Sequence, residues 1–193
     1  MDQQHSVDPP AVPLEATVVA PVTAPDLDRA SALWAECCAA RPDMSVDDPY
    51  DVDHFGDSAR LADELLGIVL AGGKRATAEL VDACREDGVD VPVAGSHWVA
   101  CDSSGVPRAV LRTTEVRIGP VTSATADFAA AEGEDDGTLE SWHREHRRYW
   151  TRTREARGLT WSEDDDVVFE HLAVVWPPEF ADDRDSGDAH LVP

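Results

Sequence analysis

Residues 96–121 read SHWVACDSSGVPRAVLRTTEVRIGPV, and this stretch decides the fold class. Alternating and β-branched residues flank a polar turn, Asp102-Ser103-Ser104-Gly105. Two such runs around a Gly-containing turn predict an antiparallel hairpin. Residues 164–176, DDDVVFEHLAVVW, predict a further, strongly apolar strand. Helices come first and strands are interspersed with hairpin-type links. That order predicts an α+β fold around a small antiparallel or mixed β-barrel decorated by helices, not a parallel βαβ sheet.

Outward from the hairpin, residues 25–40 carry Leu27, Ala30, Leu33, Trp34 and Cys37 at helical spacing, with Asp26 and Asp28 at the start. In residues 55–73, Asp57 or Ser58 can cap a second helix. Leu61, Leu65, Ile68 and Val69 form its face, and Gly72 and Gly73 end it. Residues 128–157 predict a helix, a Gly-containing acidic loop and a longer helix striped with Leu139, Trp142, His146 and Tyr149 or Trp150. Residues 1–24 and 177–193 have no periodic apolar face and predict tails, the second of them acidic. One domain over 25–176 remains.

The net charge is −23, which argues against wholesale coating of nucleic acid or anionic membrane. No apolar run is long enough to span a bilayer, and no basic region with an apolar run opens the chain. Cys37, Cys38, Cys84 and Cys101 match no metal or redox spacing, so reduced thiols in a cytoplasmic protein are expected. His143 and His146 lie three apart on a predicted helix, but no third ligand is identifiable, so neither metal nor other cofactor is expected.

Of sixteen basic residues, one is lysine, Lys74 in LAGGKRATAEL (70–80). The segment fails the Walker pattern, because Arg75 follows the lysine and a helix precedes it. Arginine cannot be deprotonated, whereas lysine can be tuned toward neutrality. If the segment turns helically, Lys74 and Thr77 share a face, with Glu132, Glu134 and Asp135 as candidate carboxylates. An exposed cation at a helix C-terminus explains Lys74 equally well. The 142–157 segment holds Arg144, Arg147, Arg148, Arg152, Arg154 and Arg157 against Glu145 and Glu155, interleaved with aromatics. It reads either as a phosphate-binding surface or as a helix that neutralises the protein's own acids. Trp98 either packs in the core or stacks on a flat ligand.

FGD (55–57), GGKRAT (72–77), the DSSGVPR hairpin and EGEDDGTLESWHREH (132–146) together resemble the ASCH-domain family, a branch of the PUA-like superfamily. The similarity covers about Tyr50 to Trp176. It implies a small β-barrel with a cleft suited to RNA, nucleosides or modified bases. One branch of the family removes the acetyl group from N-acetylated cytidine with a lysine, a threonine three residues on and an acidic-loop glutamate. Lys74 and Thr77 match the first two. Glu134 is the preferred third and Glu132 the alternate, because this loop is one residue longer. Asp135 stands where the family usually has a second glycine. The resemblance implies Lys74 as base, Thr77 as nucleophile and Glu134 assisting. Gly72 and Gly73 amides would hold the oxyanion, with Arg75, Trp98, Arg147 and Arg148 as further ligand contacts. Ribonuclease activity or RNA binding through the arginine helix, and non-catalytic ligand sensing, are the alternatives. Oligomeric state is not legible.

Overall fold

The computed structural model describes residues 20–182. In chain order the elements are α1 (Leu27–Ala40), β1 (Asp51–His54), α2 (Ala59–Leu70), β2 (Ala76–Leu80), α3 (Val81–Asp87), β3 (His97–Cys101), β4 (Pro107–Pro120), α4 (Ala126–Glu132), α5 (Leu139–Ala156) and β5 (Asp166–Trp176). The strands form one sheet in the order β1-β3-β4-β5-β2. β1 runs parallel to β3, and every other pairing is antiparallel. Register shifts interrupt the β3–β4 and β4–β5 ladders. Such bulges bend strands and raise their twist, and the sheet curls into a half-barrel.

β5 is the sheet's spine, buried over Val167–Glu170 and Leu172–Val175. Alternate residues face opposite sides. Val167 and Phe169 pack with Phe128, Trp142 and Trp150 from α4 and α5. Val175 packs with Ala30 and Trp34 from α1. Leu172 and Val174 face the other way, onto Leu65, Leu66 and Val69 of α2. Each such side chain, fully buried, contributes roughly 1.5–3 kcal/mol.

Two expected helix starts are present as side-chain caps: Asp26 accepts from Arg29 N and Ser58 from Leu61 N. Thr125 and Thr138, not expected as caps, accept from Phe128 N and Ser141 N. β1, β2 and α3 were not anticipated. β1 is a four-residue, half-exposed edge strand, DVDH, with no apolar run to mark it. β2 is ATAEL, good helix formers made extended by pairing with β5. That overturns the helical-face expectation for Lys74 and Thr77. The N-terminal tail expectation falls almost wholly on residues outside the described ones. Of the expected C-terminal tail, the described part up to Asp182 folds back, with Asp182 N donating to Val174 O at 3.0 Å.

Candidate active site

Two glycine-bearing loops meet at the start of β2. The first leaves α2, where the amides of Gly72, Gly73 and Lys74 donate back to Val69 and Ile68 carbonyls at 3.0, 2.9 and 3.3 Å. The second leaves α4 through Gly133, which has φ +63°. Arg75 N donates to Ala131 O at 2.7 Å, which locks the loops together. A Cβ on Gly133 would lie 2.0 Å from Gly73 O, so only glycine permits this approach. Asp135 has φ +50°, the left-handed conformation that suits the glycine it replaces and that aspartate tolerates better than most residues.

Backbone contact between the loops brings their side chains together. Lys74 is 1% exposed and donates through Nζ to Glu134 Oε1 at 2.5 Å. The ammonium also lies 5.7 Å from the centre of the Phe55 ring. Glu132 is equally buried, and its Oε2 accepts from Trp142 Nε1 at 2.8 Å. His146 Nε2 lies 3.4 Å from the same oxygen, and the His146 ring stacks on Trp142 with centroids 4.1 Å apart. Oε1 of Glu132 has no hydrogen-bond partner among the described residues. Burial pushes the Glu132 carboxyl up to about 8, reinforced by Glu134 and opposed by Lys74 and the Trp142 hydrogen bond. Burial likewise pulls His146 down to about 4. Behind the Lys74–Glu134 pair thus stand two groups held toward their neutral forms. Glu134 is half-buried, so the pair reaches the surface on the glutamate side while Lys74 is enclosed.

Several sequence expectations are not met. The Gly72 and Gly73 amides are committed to ending α2 and cannot serve as an oxyanion hole. Arg75 is a strap. It donates to the Val69 and Lys74 carbonyls and pairs with Asp182 at 2.8 Å, a partner in the segment expected to be a tail. Trp98 packs edge-on against Phe55, with centroids 4.8 Å apart, inside the α2 core. The Thr77 side chain makes no hydrogen bond to Lys74, Glu132 or Glu134 among the described residues; it sits on β2 opposite Glu170 of β5. Arg147 and Arg148 lie on the exposed side of α5, along a shallow, solvent-open depression shared with Arg144 and Arg152. Each arginine of the helix pairs with an acid, at 2.5 to 3.8 Å. Trp142 as carrier of Glu132 was missed, although both lay in the segment singled out; only the fold puts them side by side.

The fold has counterparts among known proteins. A family model described as ASCH domain matches residues 51–176. This chain belongs to the ASCH-domain family. The match ends with β5 and includes both loops. An ASCH domain from Lactobacillus crispatus JV V101 is similar in structure, with TM-score 0.71 and 26% identity over 78% of this chain and 96% of that one. A protein of Enterococcus faecalis V583 aligns with TM-score 0.68 and 30% identity over 77% and 88%. A comparison with curated proteins finds no match. α1 lies before the residues matched by the family model and packs against β3, β4 and β5. No described helix is long and apolar enough to cross a membrane.

Proposed function

We propose that this ASCH-domain protein hydrolyses a small amide on a modified pyrimidine nucleoside, with N-acetylated cytidine as the model substrate, at the Lys74–Glu134 pair. One observation carries the reading: the chain's lone lysine is buried against a carboxylate that is remote in sequence and sits at a loop rim. Buried ion pairs are commonly neutral or unfavourable relative to apolar replacements, so a purely stabilising role explains this one poorly. Perturbed, buried titratable groups around it are what a catalytic site requires. As donor in its bond to Glu134, Nζ acts as a hydrogen-bonding cation, suited to the oxyanion that forms on the acetyl carbonyl. Glu134 takes the proton of an attacking water, the C–N bond breaks, and the proton passes to the leaving amino nitrogen. Water attack needs no rearrangement of Thr77, whose place on β2 suits it to line the ligand.

Acetate release from N-acetylated cytidine tests the reading. Lys74→Met and Glu134→Gln should each lower turnover by roughly 100-fold or more, while Thr77→Val should leave most of it. Equal turnover in wild type and both site variants, or none in folded wild type, refutes the assignment. RNA binding along α5 is the weaker reading, because its arginines are already paired with the protein's own acids.

A further inference from the structure

Glu170 is the one charged residue in the buried run of β5, flanked by Val168 and Leu172 on its own face. It is 8% exposed, and no cation pairs with it among the described residues. Its Oε1 accepts from the Thr113 hydroxyl at 2.6 Å, and Thr113 in turn accepts from Ser96 Oγ at 3.0 Å. Thr113 is itself 1% exposed, so this oxygen is held from behind by an ordered chain. Oε2 is not engaged by another side chain among the described residues, and it is not among the buried polar atoms left without a partner, so it stands open to solvent or a ligand. Directly across the ladder lies Thr77, half-buried and also without a side-chain hydrogen bond. Cross-strand partners project on one face, with Cβ atoms about 5 Å apart. Thr77 lies three residues after Lys74, so this polar pair sits within roughly 10 Å of chain from the catalytic lysine.

A buried carboxyl in a strand core is costly unless it is paired. One hydroxyl donor and no cation favour the neutral acid, and burial does push this carboxyl above its ordinary range. With Oε1 accepting from the Thr113 hydroxyl, Oε2 is the oxygen left beside Thr77, where the protonated acid would present a donor. Two polar groups side by side on a sheet face, one fixed from behind by a buried hydrogen bond and each with an oxygen not engaged by the protein, suit a recognition element. We propose that Glu170 and Thr77 form the base-recognition floor of the site, with Glu170 Oε2–H donating to the ring-nitrogen or carbonyl acceptor of a pyrimidine such as cytosine. The proposal rests on the reading that a nucleoside enters beside Lys74, and it adds the element that would select it.

Binding and turnover separate the two claims. Cytidine and N-acetylated cytidine would be titrated calorimetrically into the full chain, its Glu170→Gln variant and its Glu170→Leu variant. Gln keeps an acceptor for Thr113 and a donor toward the ligand, so its Kd should stay within about 3-fold. Leu matches the apolar neighbours but removes the acceptor of the buried Thr113 hydroxyl, so a thermal melt must first show the variant folded; its Kd should then rise at least ~10-fold, the effect of losing a buried donor to the ligand. Wild-type binding by Glu170→Leu overturns the proposal. So does equal loss in both variants, which would mean that Glu170 acts as an anion. If wild type binds neither nucleoside, the recognition floor is refuted. If wild type binds in the expected variant order without releasing acetate, the floor stands and the hydrolase reading falls.

Discussion

Gly133 concentrates the site's construction in one residue. Its backbone touches that of Gly73, and Lys74 and Glu134, the residues next to each, then meet at 2.5 Å. Gly133→Ala adds a Cβ to a left-handed residue already in contact, so it should destabilise by roughly 2–3 kcal/mol in urea unfolding. Glu132 gives a pH signature. Its folded carboxyl is raised to about 8 from an ordinary 4.5, so between these values the folded state holds a proton that the unfolded state lacks. Stability from Glu132 is therefore fully present below about pH 4.5 and is lost as pH rises toward 8. His146, lowered to about 4 from 6.5, acts oppositely, adding stability as pH rises from 4 to 6.5. Between pH 6.5 and 8 only the Glu132 effect of this pair remains. Unfolding free energy should fall across that window in wild type and fall less in Glu132→Gln. Identical slopes would show that Glu132 is ionised in the fold.

At the scale of elements, α5 serves two sides. Its inner stripe puts Trp142 and Trp150 into the core and Trp142 against Glu132. Its arginines tie it to the rest of the chain: Arg152 to Asp57 before α2, and Arg154 to Glu86 of α3. Arg154 is buried, and Glu86 is partly exposed. Removing one partner of such a pair leaves a charge with reduced compensation, less severe than for a fully buried pair. Arg154→Ala should therefore cost about 2 kcal/mol, while Arg148→Ala, on an exposed side chain, should stay within about 0.5 kcal/mol. Chemical denaturation of both variants checks the contrast. The same logic governs β2. Its residues favour helix, yet the ladder to β5 makes them extended and places Thr77 against Glu170.

For the whole molecule, a charge of −23 on 193 residues makes self-repulsion a general destabilising force. Screening lengths drop from about 30 Å at 0.01 M to about 10 Å at 0.1 M ionic strength. The thermal midpoint should rise with sodium chloride over that range, and a fall would show that the arginine–acid pairs of α5 outweigh the repulsion. Single-stranded RNA should show no binding at physiological salt in a fluorescence titration; salt-sensitive binding lost on reversing Arg147 and Arg148 would restore the RNA reading.

The sequence alone determined the α+β class, the β3–β4 hairpin, the long apolar β5, the caps of α1 and α2, and the suspicion attached to Lys74. These are local signals: alternation, helical spacing, turn residues and one lysine among arginines. Tertiary structure alone decided that Lys74 is buried rather than exposed at a helix end. It also decided that Glu134 and not Thr77 is its partner, and that Asp182 reaches Arg75. Those facts depend on which backbones touch across 60 to 107 residues of chain. Local propensity carries no information about such contacts, and in β2 it pointed the other way. A strand fixed by pairing turned Thr77 toward Glu170, and a glycine without a Cβ let two loops close on the lysine.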